Sequence, residues 1–112
     1  MALAPDIELA RQFAEGLSRD FCGNLVRVSL FGSRARRDHD ADSDFDLLIV
    51  LREPTGDDRS RIHLGALSLE LERHVDLSTK ILSVADFGRL RGSAEPFWSA
   101  FERDEQVLWP TH

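Results

Sequence analysis

The segment Phe45–Leu51, FDLLIVL, constrains this chain more than any other. After Asp46 it is apolar at every position, so both faces of the strand it forms must be covered, as for an interior strand. An interior strand needs neighbours. Leu25–Phe31 (LVRVSLF), rich in β-branched residues and bounded by Gly23-Asn24 and Gly32, predicts one. Val75–Leu82 predicts another, with Val75, Leu77, Thr79 and Ile81 on one face and Asp76, Ser78 and Lys80 on the other. Val107–Trp109 reads as a short extended tail.

The intervening segments carry helical periodicity. Ile7, Ala10, Phe13, Ala14, Leu17 and Phe21 form one stripe over Asp6–Phe21. Asp57–Arg73 carries two stripes, Ile62/Ala66/Leu69 and, nearly opposite, Leu64/Leu67/Leu71. A helix apolar on two sides is either sandwiched in the core or lends one side to a partner. A short helical turn is expected over Ser33–Arg37, and helices over Ser83–Arg91 and Glu95–Glu105, the last burying Phe97, Ala100 and Phe101. The order predicts an α+β domain, an α/β two-layer arrangement with a small mixed β-sheet and flanking helices. With 112 residues and no Gly/Ser linker, Pro-rich stretch or repeat, one domain over residues 1–112 is expected.

Composition narrows the function classes. Twenty acidic against 14 basic side chains give a net charge of −6, which repels nucleic-acid backbones and argues against a free-standing nucleic-acid binder. Arg34, Arg36 and Arg37 make a local basic patch all the same. Cys22 is the only cysteine, so a disulfide framework or cysteine zinc site is excluded, and it is expected to be a small buried residue. The longest apolar run, Leu47–Leu51, is far short of a membrane span, and Met1–Asp6 lacks a basic start and apolar core. A cytoplasmic protein is the expectation.

Three features converge on chemistry. Gly32-Ser33 directly follows a strand, where glycine permits a sharp turn and the following N–H groups and hydroxyl can hold phosphate oxygens. Alone, such a pair is more often just a turn. Asp44 and Asp46 flank Phe45 at the mouth of the central strand, so both carboxylates point to one side, roughly 7 Å apart at the backbone. Two carboxylates held together repel unless a cation or proton lies between them. Asp76 lies on the polar side of a later strand, and if the two strands are neighbours it joins them. Three carboxylates suit Mg²⁺, which takes one or two carboxylates plus water and substrate phosphates.

The spacing of Gly32-Ser33 and Asp44-Phe45-Asp46, with Asp76 later and the local text GSRARRDHDADSDFDLLIV, resembles the DNA polymerase β-like nucleotidyltransferase superfamily. Within it, the chain is similar to the minimal nucleotidyltransferase (MNT) proteins, the antitoxins of HEPN/MNT toxin–antitoxin pairs. That resemblance implies the polymerase β-like nucleotidyltransferase fold. It implies that Asp44, Asp46 and Asp76 ligate two Mg²⁺ ions and carry catalysis, and that Gly32, Ser33 and Arg36 bind the triphosphate of ATP. Arg37 stands where many relatives have Gly. The implied reaction is transfer of AMP to a tyrosine of a HEPN-domain toxin held in a hetero-complex. This chain has no tyrosine, so it offers none for self-modification. Two alternatives stay open: a non-catalytic antitoxin acting by occlusion, and the catalytic subunit of a small-molecule (aminoglycoside-type) nucleotidyltransferase.

The remaining candidates read plainly. Asp38, Asp40, Asp42 and Asp44 superficially resemble a calcium loop, but Ser43 and Ile49 stand where an EF-hand needs Gly and Glu. His39, His63, His74 and His112 have no mutual metal-ligand spacing and are expected at the surface. Ser78 and Lys80 share the face of Asp76, more simply as a solvent-facing row than as nucleotide contacts. Trp98 and Trp109 are expected as core and tail anchors.

Overall fold

The computed structural model describes residues 5–32, 35 and 44–110. Its elements are α1 (Pro5–Asp20), β1 (Leu25–Phe31), β2 (Phe45–Leu51), α2 (Gly56–Arg73), β3 (Leu77–Ser83), α3 (Val84–Arg91), α4 (Pro96–Asp104) and β4 (Gln106–Trp109). The two strands with the strongest patterns, β1 and β2, fall on the residues expected.

The strands form one mixed sheet in the order β3-β2-β1-β4. β1 pairs antiparallel with both β2 and β4, whereas β3 runs parallel to β2. The tail is thus a true strand, not a loose extension. β2 is interior, and Leu47, Leu48, Ile49, Val50 and Leu51 are all fully buried, as its two-sided apolarity requires.

Alternate residues of β2 enter different cores. Phe45, Leu47, Ile49 and Leu51 pack with the α1 stripe and Ile62 of α2. Leu48 and Val50 pack with Phe87 of α3 and Trp98 and Phe101 of α4. Helices therefore cover both faces of the sheet, one layer more than the two expected, because both parities of β2 are apolar. The fold class remains α+β on a small mixed sheet.

Local sequence explains the helix boundaries. The Thr55 hydroxyl accepts from Asp58 N–H while the Asp58 carboxylate accepts from Thr55 N–H, a capping box that starts α2. His74 closes that helix in the left-handed conformation, φ 56°. The Ser83 hydroxyl accepts from Asp86 N–H and starts α3, so Ser83 is its cap and the last residue of β3. Pro96 opens α4 at its first turn.

Three sequence expectations need correction. β3 begins at Leu77, so Val75 and Asp76 precede the strand proper. In α4, Trp98 and Phe101 are buried while Phe97 is partly exposed. A nine-residue helix with three large aromatic residues, Phe97, Trp98 and Phe101, leaves its phase ambiguous, and edge-on packing of Trp98 against Phe87 and Phe101 decides it. Cys22 is exposed, because it lies in the turn after α1, beyond the buried Phe21 that ends the stripe. Among the described residues, no helix is long and apolar enough to cross a membrane.

Candidate active site

β2 fixes the position of the paired aspartates. Its first ladder partners are Phe45↔Leu77 on β3 and Asp46↔Phe31 on β1, so Asp46 lies between the end of β1 and Ser78 of β3. Phe45 is buried in the core on one face, which commits Asp46 to the other face. Asp44, just outside the strand, is exposed.

Asp76 comes to the same edge. Phe45 N–H donates to the Asp76 carbonyl at 2.9 Å, so the parallel ladder begins one residue before β3 itself. Extending the register sets Asp76 beside Asp44, at the ~4.8 Å spacing of neighbouring strands. The expected adjacency of the two strands therefore holds. The side chains do not close into a cage: among the described residues, no three His, Cys, Asp or Glu side chains stand close enough to hold a metal ion. Carboxylates at one strand edge are a donor set that Mg²⁺ could use, since it takes one or two carboxylates completed by water and phosphate oxygens.

Gly32 is built against this edge. Its φ of 76° lies in the left-handed region, where a β-carbon is disfavoured. A Cβ placed there would also overlap Asp46 Oδ2 and stand 3.3 Å from Asp46 Cγ. The backbone after β1 thus reaches the carboxylate only because residue 32 has no side chain. This is the second reason for glycine here, and the spacing of sequence motifs alone does not reveal it.

Gln106 of β4 supplies a support that sequence reading missed. Its side-chain amide donates to the carbonyl of Ala35, which is itself buried in the core. The segment following Gly32 is therefore tied to the sheet at one described point. Ser33 and Arg36, as well as Arg34, Arg37, the Asp38–Ser43 loop, His39 and His112, lie outside the described residues. So does the helical turn expected over Ser33–Arg37, Ala35 excepted.

The flanking residues of this face are aromatic and basic. Phe31 packs edge-on against Phe97 and Phe101, at 5.7 and 5.4 Å between centroids. Ser78 and Lys80 are exposed, and the Lys80 ammonium sits 5.0 Å over the Phe97 ring. His63 and His74 are at the surface, the former sharing a hydrogen bond with Thr79 Oγ1 at 3.2 Å.

The family model for the nucleotidyltransferase domain matches residues 10–95, which contain β1, β2 and β3 with Gly32, Asp44, Asp46 and Asp76. The chain belongs to the nucleotidyltransferase domain family. A Methanocaldococcus jannaschii protein bearing the name of a protein adenylyltransferase is 42% identical over 57 residues. That match covers 50% of this chain and 58% of the relative, so the chain spans less than two thirds of it.

Solved structures share the nucleotidyltransferase fold. A Sulfolobus solfataricus protein described as a nucleotidyltransferase superposes with a TM-score of 0.57 at 24% identity, covering 92% of this chain and 78% of that one. A toxin–antitoxin structure with AMP-PNP gives 0.59 at 19% identity, covering 91% and 74%. A chain from the complex of tri-AMPylated Shewanella oneidensis HEPN toxin with MNT antitoxin gives 0.54 at 18% identity, covering 94% and 73%.

Proposed function

We propose that this chain transfers AMP from ATP to a hydroxyl of a partner protein, a tyrosine of a HEPN-domain toxin, and thereby acts as its antitoxin. The observation that carries the reading is the edge where Gly32 closes on Asp46 while the β2–β3 register brings Asp76 beside Asp44. It is supported by the Methanocaldococcus jannaschii relative's name and by the AMPylated HEPN toxin found with the Shewanella oneidensis antitoxin.

In this reading Asp44, Asp46 and Asp76 hold two Mg²⁺ ions, and Gly32, Ser33 and Arg36 hold the triphosphate. The bound ions would supply positive charge to the leaving pyrophosphate and lower the pKa of the attacking hydroxyl. The acceptor oxygen forms a bond to the α-phosphorus as the bond to pyrophosphate breaks. Asp76 helps activate that hydroxyl. The rigid strand positions of the carboxylates contribute by holding the reacting groups in line.

The test is label transfer from α-labelled ATP, with Mg²⁺, to a HEPN-domain protein. Asp44→Asn and Asp46→Asn should each lower transfer by about 10²–10³-fold. Control of the partner that survives these substitutions while transfer is lost would establish occlusion instead. Label appearing on an aminoglycoside but not on protein would establish a small-molecule transferase.

A further inference from the structure

We infer that Phe97 and Lys80 form the acceptor subsite of the catalytic face: Phe97 packs against the ring of the acceptor tyrosine, and the Lys80 ammonium meets its hydroxyl oxygen. The inference rests on the reading that AMP passes to a protein tyrosine, and it names the residues that receive that side chain.

The face that carries Asp46 is closed at its inner end. Leu48, the next residue of β2 on that face, is fully buried with Trp98 and Phe101 of α4. Three side chains stand at this boundary. Phe31, the β1 partner of Asp46, meets Phe97 edge-on at 5.7 Å between centroids. The Lys80 ammonium lies 5.0 Å over the same Phe97 ring. Lys80 pairs with Leu48 and stands roughly 7 Å inward of Ser78, the β3 partner of Asp46. Phe97 therefore bridges β1 and β3, and with Lys80 it walls a floor made of Asp46 and Ser78.

Two properties of this wall point to a ligand. Phe97 is 39% exposed although Trp98 and Phe101 of the same helix are buried. Lys80 is exposed and, among the described residues, pairs with no carboxylate, whereas Arg27, Arg89, Arg91 and Arg103 each do. An exposed ring holds an ammonium more weakly than a charge-assisted hydrogen bond to an anionic oxygen does. The Lys80 stem is flexible and Ser78 is small, so the ammonium can swing from the ring towards Asp46.

Reaction geometry decides which substrate meets the wall. In-line displacement sets the attacking and leaving oxygens on opposite sides of the α-phosphorus. With the triphosphate held by Gly32 and Ser33 after β1, pyrophosphate leaves on the β1 side of Asp46. The acceptor then enters from the β3 side, where Asp76, Ser78 and Lys80 form one row. A tyrosine brings both a ring for Phe97 and an oxygen that becomes anionic for Lys80. An aliphatic hydroxyl brings no ring, and an amino sugar sets its own ammonium groups against Lys80. As the phenolic oxygen bonds to the α-phosphorus, pyrophosphate departs and the phenolic proton passes to solvent. A cation beside that oxygen favours its ionised form.

The experiment is steady-state label transfer from α-labelled ATP, with Mg²⁺, to a HEPN-domain protein, varying ATP and acceptor in turn. Phe97→Leu, which keeps most of the side-chain volume, should raise the KM for the acceptor about 3- to 10-fold and leave the KM for ATP unchanged. Lys80→Met, at an exposed position, should lower kcat at least about tenfold with both KM values unchanged. Lys80→Arg, which keeps the charge, should retain most of the turnover. If Phe97→Leu and Lys80→Met both keep the wild-type kcat and acceptor KM, the wall does not meet the acceptor, and AMP transfer stands without it. A raised KM for ATP with an unchanged acceptor KM would give the wall to the nucleotide and overturn the inference. Label found on a serine or threonine of the acceptor would likewise overturn the phenolic subsite while AMP transfer stands. If the unaltered chain transfers no label, the functional reading fails and this inference with it.

Discussion

Gly32 joins backbone geometry to chemistry at a single residue. Its positive φ and its contact with the Asp46 carboxylate are separate demands, and alanine violates both. The conformational part alone costs about 1–2 kcal/mol. The overlap must then move either the carboxylate or the chain that follows β1, and a displacement of about 1 Å can cost on the order of 10²-fold in rate. Gly32→Ala should therefore lose far more of the proposed AMP transfer than of stability, read as turnover against the urea midpoint. Equal losses in both would show that the residue serves the fold alone. The sequence displayed this glycine as a turn after a strand; the second demand depended on which residue lay opposite, and that is a property of the β1–β2 pairing.

At the level of elements, legibility followed the strength of the burial pattern. β2 was plain because every residue after Asp46 is apolar, and β1 because its turn signals bracket it. Asp76 read as strand because alternation continues through it, although the helix-terminating corner at His74 delays the strand to Leu77. Phe97 and Trp98 could each have faced the core; tertiary packing against Phe87 chose Trp98. α2 is the informative case, since its two stripes left open which one was internal. Ile62→Ala should cost about 2–4 kcal/mol by cavity formation. Leu64→Ser, on the other stripe of the same helix, should stay within about 0.5 kcal/mol. Thr55→Ala removes one side of the capping box and should cost about 1 kcal/mol. Chemical denaturation of the three variants checks all of these, and comparable losses at Ile62 and Leu64 would contradict the assigned faces.

Across the whole molecule, the helical layer opposite α1 and α2 is tied to the sheet by one polar knot. Glu105, at the end of α4, accepts a hydrogen bond from the Ser29 hydroxyl of β1 and pairs with Arg27, whose Nη2 donates to Oε1 at 3.1 Å. Ser29 is fully buried, and the Glu105 side chain is nearly so. β4 begins at the next residue, so the knot sets where the last strand joins β1 and where Gln106 can reach Ala35. Nothing in the sequence marked Glu105 for this, because its partners are remote along the chain. Glu105→Ala leaves the Ser29 hydroxyl buried without an acceptor and Arg27 without its carboxylate. The cost should be about 2–3 kcal/mol, below that of a fully buried pair because Arg27 is partly exposed. Ser29→Ala alone should cost about 1–2 kcal/mol, since a nearly buried carboxylate then loses a donor. In the double variant the two losses overlap, and the sum should fall short of additivity by about 1 kcal/mol or more. Strict additivity in urea unfolding would mean that the two side chains act independently and that β4 is positioned by its backbone ladder alone.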